Sequence, residues 1–177
     1  MNILAIIPAR MGSSRFPGKP LKKINGVPMI RHVYDQVKNN NNLLTTIVAT
    51  CDREIEEYIH SIDGNVIMTS SKHERASDRC AEALLIYEKK QHIKVDIVVM
   101  VQGDEPMIKS EMISEAINPM LKDSTILVTN LLSNIKTEKE FKSRNSIKVV
   151  CDNKSNALYF SREPIPHMKT YIGELNF

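Results

Sequence analysis

From Ala9 to Pro20 the chain reads Ala9-Arg10-Met11-Gly12-Ser13-Ser14-Arg15-Phe16-Pro17-Gly18-Lys19-Pro20, so two glycines and three cations share twelve residues. Glycine lets a backbone fold closely around phosphate oxygens, and arginine forks and a lysine ammonium neutralise them. The chemistry open to such a loop is polyphosphate binding; a solvated basic loop is the plainer alternative. It is not a Walker A loop. Five residues separate Gly12 from Gly18, and Lys19 is followed by Pro20 where that motif needs Ser or Thr on the metal. No G-x-G-x-x-G occurs either, so a Rossmann dinucleotide site has no support.

Two further stretches carry reactive types. Gln102-Gly103-Asp104-Glu105-Pro106 offers Asp104 as a ligand for Mg²⁺, a hard cation that takes carboxylate and phosphate oxygens. The competing role for Asp104 is capping the turn before Pro106. Thr69 to Arg79 combines hydroxyls, charges and a helix start, so Ser77 and Arg79 are candidates to meet a nucleotide; Ser77 is equally placed as a helix N-cap. The five histidines show no H-x-x-x-H or H-E-x-x-H spacing, which argues against zinc. Cys51, Cys80 and Cys151 are odd in number and far apart, and they read as buried thiols.

These stretches need elements to hold them. Asn2 to Ala9 is a continuous apolar run, as in a strand buried on both faces. Helices are predicted from Pro28 to Asn39, Arg53 to Ser61, Ser77 to Lys90 and Ser110 to Leu121, the last with Ser110 as its cap. Strands are predicted at 43–50, 65–69, 95–101, 125–131, 146–151 and 157–161, the last two placed to form an antiparallel pair. Alternating strand and helix gives an α/β fold with an open, mostly parallel sheet flanked by helices. Ligands in such sheets bind beyond the carboxyl ends of the strands, which is where all three reactive stretches fall.

Composition bounds the rest. At 177 residues, 42% hydrophobic and 25% charged, the chain reads as one globular domain over residues 1–177 with no interdomain linker. No apolar run approaches the roughly 20 residues a membrane helix needs, and the N-terminus lacks a signal pattern, so a cytoplasmic location with no membrane contact is expected. The formal charge of +3 is too small to argue for nucleic acid. Its distribution is uneven: the first 34 residues hold six Lys or Arg and no acid, pointing to a local anion site.

The blocks IIPAR-x-x-S-S-R-x-P-G-K-P-L, N-G-x-P-M-I-x-H-V, V-Q-G-D-E-P-M-I, K-V-V-x-D and A-L-Y-F-S-R-x-x-I-P run collinearly from Met1 to about Pro166. Together they closely resemble the 3-deoxy-D-manno-octulosonate (Kdo) cytidylyltransferases, the CMP-Kdo synthetases. The resemblance implies a Rossmann-like nucleotidyltransferase sheet and a Mg²⁺-dependent reaction. In it the anomeric hydroxyl of a ulosonic acid attacks the α-phosphorus of CTP, releasing pyrophosphate and giving an activated sugar for lipopolysaccharide biosynthesis. By position, Arg10 and Lys19 would be catalytic and hold the triphosphate, with Pro8, Ala9, Met11, Arg15, Ser77 and Arg79 also at the nucleotide. Asp104 would bind Mg²⁺, and Gln102 and Arg162 would meet the sugar acid, Arg162 forking onto its carboxylate. A homodimer is implied as well.

Two departures qualify the likeness. His73-Glu74-Arg75-Ala76-Ser77-Asp78-Arg79 stands where the family shows H-x-S-G-T-[DE]-R, which leads us to expect CTP as donor with a variant ulosonic acid as acceptor. The family's later R-H-x-G-I-Y and D-T-P-E-D segments have no counterpart before Phe177, so a C-terminal segment with a second metal carboxylate is expected beyond it. The alternatives are a nucleotidyltransferase for another acidic sugar or a sugar phosphate, and a non-catalytic nucleotide-binding module.

Overall fold

The computed structural model describes residues 1–12 and 16–166. Its centre is β1 (Ile3–Pro8), six residues all buried. Because side chains alternate across a strand, Ile3, Ala5 and Ile7 enter one apolar cluster and Leu4 and Ile6 the other. β1 pairs in parallel with β4 (Thr45–Thr50) on one side and β6 (Ile97–Met100) on the other, and β4 pairs in parallel with β5 (Val66–Met68). The sheet order is therefore β5-β4-β1-β6. The chain steps outward twice, then returns to the far side of β1, so the crevice of an open α/β sheet opens between the ends of β1 and β6.

Three helices cover one face. Ile30, Val33, Tyr34 and Val37 of α1 (Met29–Lys38), Ile55 and Ile59 of α2 (Arg53–Ser61), and Ile113 and Ile117 of α4 (Ser110–Lys122) are buried against it. Their spacing of three and four residues makes one apolar stripe per helix. Cys80 and Ala83 of α3 (Ala76–Gln91) cover the other face. Burial pushes the Cys80 thiol up to about 11. Cys51 and Cys151 are only half-buried, and all three cysteines are free.

The structure adds short elements that periodicity does not reveal. A 3-10 turn spans Lys19–Leu21, and β2 (Lys23–Ile24) pairs antiparallel with β3 (Val27–Pro28). Asn25 and Gly26 between them have φ of 50° and 82°, the backbone of a two-residue hairpin turn that Asn-Gly favours.

Other expectations are corrected. Residues 125–131 form no strand: Leu127 and Val128 are 82% and 76% exposed. Among the described residues no neighbouring strand takes their backbone groups, and a strand has no stability without one. Ser110 does not cap α4; Lys109 holds that position, while the Ser110 carbonyl accepts from the Asn40 amide at 2.7 Å. Ser77 does not cap α3, which begins one residue earlier, after Arg75.

The folded chain forms two compact units, Met1–Leu131 and Leu132–Phe177. The second contains α5 (Glu138–Lys142) and the antiparallel pair β7 (Lys148–Cys151) and β8 (Ala157–Ser161). Its organising cation is Lys148, 2% exposed, whose ammonium donates to the carbonyls of Ser143, Ser146 and Arg162 at 2.6–2.8 Å. Three acceptors replace the water that the buried charge gives up.

Candidate active site

The loops after β1, β5 and β6 converge on one cavity of about 300 Å³ at the carboxyl ends of the strands. The first supplies Pro8, Ala9, Arg10, Lys19 and Pro20; the third supplies Gln102, Gly103 and Asp104. Gly18, at φ 71°, turns the chain into the 3-10 turn that begins with Lys19. That left-handed backbone is one most side chains resist. Gly103 fits for another reason: a Cβ there would lie 3.0 Å from the Pro8 carbonyl oxygen, so glycine lets the β6 loop close on the β1 loop.

This closeness brings Lys19 and Asp104 together. The ammonium lies 2.7 Å from Asp104 Oδ2, with the side chains 32% and 50% exposed. The Asp104 carboxylate is thus spent on a cation across the pocket, not on its own turn, which is closed by the Glu105 N–H on the Gln102 carbonyl. With Arg10, Lys19, Arg75 and Arg79 against Glu74 and Asp104, the lining carries more positive than negative groups.

The middle loop is tied from behind. Arg79, 3% exposed, donates to Thr69 Oγ1 at the end of β5 and to Cys51 Sγ, 3.4 Å away, at the end of β4. Glu82 Oε2 accepts the Ser70 N–H at 2.8 Å and meets the His73 ring. The Ser70 amide, and then His73, hold the Glu82 carboxyl below the usual carboxylate range. A folded-state value below the unfolded one means this anchor is present above the unfolded pKa and is lost as pH falls through the folded one. The Ser70 amide-proton shift should therefore titrate below the ordinary glutamate value of 4.5. Glu82→Gln should abolish that titration; the same acid-side midpoint in the variant would contradict the anchor.

The family profile described as cytidylyltransferase matches residues 4–176. The chain belongs to the cytidylyltransferase family. It is 47% identical over 169 residues to the 3-deoxy-manno-octulosonate cytidylyltransferase of Trichlorobacter lovleyi, covering 96% of this chain and 65% of that one. It is 46% identical to the Geobacter metallireducens enzyme of the same name, covering 99% and 66%. The chain thus spans about two thirds of the length of these relatives. Among solved structures, CMP:2-keto-3-deoxy-manno-octonic acid synthetase complexed with CTP superposes with a TM-score of 0.83 at 34% identity, over 96% of this chain and 68% of that one. A Leptospira borgpetersenii cytidylyltransferase, at 24% identity and TM-score 0.60, shares the fold.

Within this member of the family, the cavity gathers Pro8, Ala9, Arg10, Lys19, Arg79, Gln102 and Asp104 of the residues the sequence nominates. Met11 packs against the apolar core instead, and the exposed Ser77 is not part of the lining. Arg15 lies outside the described residues. Arg162 belongs to the second unit, where its guanidinium donates to the Arg144 carbonyl at 2.9 Å. Arg75, which the departure from the family pattern places beside the nucleotide, does line the cavity, whereas sequence reasoning passes over Glu74 as a lining group and Glu82 and Asp52 as supports. Asp52 carried a signal, an aspartate between strand and helix, but that signal points to helix capping.

Proposed function

We propose that the protein transfers CMP from CTP to the anomeric hydroxyl of Kdo. The hydroxyl oxygen loses its proton to water and forms a bond to the α-phosphorus, the bond from that phosphorus to the bridging oxygen breaks, and pyrophosphate leaves with the electron pair. The observation that carries this is the meeting of Lys19 and Asp104, from two loops, across a cavity at the switch point of the sheet. Arg10 and Lys19 bind and orient the triphosphate and compensate its charge. Positioning and charge compensation are most of what a protein contributes to such transfers.

Asp104 suits Mg²⁺: it offers a hard carboxylate oxygen at a place that already accepts a cation, the Lys19 ammonium. Among the described residues no group of three or more His, Cys, Asp or Glu is placed to hold a metal, so triphosphate oxygens and water would complete the shell. When bound, Mg²⁺ would offset charge on the phosphates. Gln102 would contact the sugar from the cavity wall, the role implied by the resemblance.

Kdo is the acceptor to test first, because the relatives are named for it, ahead of the variant acid to which Arg75 and Ala76 point. The homodimer and the cytoplasmic location belong to the same proposal; among the described residues no helix is long and apolar enough to cross a membrane. The experiment is pyrophosphate release by the full-length protein with CTP or UTP and a panel of acidic sugars. CTP with Kdo should give the highest turnover. Equal turnover with UTP, or none with any acceptor despite tight CTP binding, would favour the broader nucleotidyltransferase and the binding module respectively.

A further inference from the structure

An aspartate just before a helix ordinarily turns its carboxylate onto the N–H groups of its own first turn. Asp52 stands in that position before α2, in extended backbone, yet makes no such bond. Its Oδ2 instead accepts the Met11 N–H at 2.8 Å, across 41 residues of sequence. Asp52 does not line the cavity. On charge alone a carboxylate close behind a polyanion site is unfavourable, so the bond is where its contribution lies.

Met11 is the pivot of the β1 loop. The Ala9 N–H on the Ala49 carbonyl, at 2.9 Å, carries the β1–β4 ladder one residue past β1. Arg10 comes next, and the Met11 N–H then meets Asp52. The Met11 carbonyl accepts the Gly18 N–H at 3.0 Å, and Lys19 follows Gly18. One carboxylate therefore stands behind the backbone that carries both cations. Asp52 is itself held, its N–H on the hydroxyl of the buried Thr50 at 3.1 Å, and Cys51 beside it is gripped by Arg79.

We propose that Asp52 is a positioning residue for nucleotide binding, fixing the Met11 peptide and through it the placement of Arg10 and Lys19. This rests on the cytidylyltransferase function proposed above for the identity of the ligand. The role needs an acceptor oxygen at the right reach and not a charge, which separates two substitutions. Asn keeps an oxygen in place. Ser is a good cap for α2 but too short to reach Met11.

The test is calorimetric titration of CTP into the full-length protein and its Asp52→Asn and Asp52→Ser variants, with KM for Kdo and the thermal midpoint measured alongside. Asp52→Asn should bind CTP within about threefold of the native protein, and Asp52→Ser about tenfold or more weakly, the range for losing a half-buried hydrogen bond to a charged group. The Ser variant should keep its thermal midpoint and its KM for Kdo. Native CTP affinity in Asp52→Ser would overturn the proposal, as would equal weakening toward CTP and Kdo, the mark of general loosening. An Asn variant as weak as the Ser variant would overturn the hydrogen-bond account. If the native protein bound no CTP, the proposed function would fall and this inference with it; native binding unaffected by Ser would remove the inference alone.

Discussion

Lys19→Ala should lower turnover by roughly 30- to 1,000-fold, the loss of about 2 to 4 kcal/mol that follows removal of one charge-assisted contact in a transfer site. The fold should tolerate it. Among the described residues the ammonium's partner is Asp104, and an ion pair this exposed contributes about 0 to 1 kcal/mol. The change also has a second effect that side-chain loss alone would miss. Without the ammonium, the Asp104 charge faces the incoming triphosphate uncompensated, so KM for CTP should rise as well as kcat fall. Removing both partners, in Lys19→Ala with Asp104→Asn, should restore CTP binding toward the native value without restoring turnover. Pyrophosphate release and a thermal melt, run on the same samples, check both halves. Native turnover in Lys19→Ala would refute the assignment of the β1 loop to the triphosphate.

Residue pattern made the positions of this site legible before its contacts. β1 is a continuous apolar run, and α2 spans the residues its periodicity predicts, Arg53–Ser61, because burial on one or both faces leaves a local signature. The rule that ligands bind past the carboxyl ends of parallel strands then selected the three loops that line the cavity. Less legible was whatever depends on a partner far along the chain. Residues 125–131 carry strand-forming types, but a strand exists only where another supplies its hydrogen bonds. Asp52 and Ser110 both look like caps from their neighbours; one serves a loop 41 residues away and the other offers Asn40 its carbonyl. Arg79 reads in the sequence as a candidate to meet a nucleotide, and its guanidinium is held by Thr69 and Cys51. The Asn25-Gly26 hairpin is the opposite case, since its turn is specified by two adjacent residues and needs no distant partner.

Asp104→Asn should abolish the dependence of rate on Mg²⁺ while leaving CTP binding intact. An amide oxygen is a much poorer ligand for a hard dication than a carboxylate, and among the described residues no group of three or more His, Cys, Asp or Glu is placed to hold the metal in its stead. A metal in such a site supplies several kcal/mol of charge stabilisation, so turnover should fall by about a hundredfold or more. Nucleotide binding should move the other way or stay level. The substitution removes a negative charge from the cavity wall and frees Lys19 from its 2.7 Å partner, leaving the ammonium to the triphosphate. The two readouts therefore separate metal binding from any damage to the fold, which would weaken both together. CTP calorimetry without metal should give an affinity equal to or tighter than native, and a Mg²⁺ titration of pyrophosphate release should be flat. A native Mg²⁺ response in the variant would remove Asp104 from the metal's shell and leave it as the counter-ion of Lys19 alone.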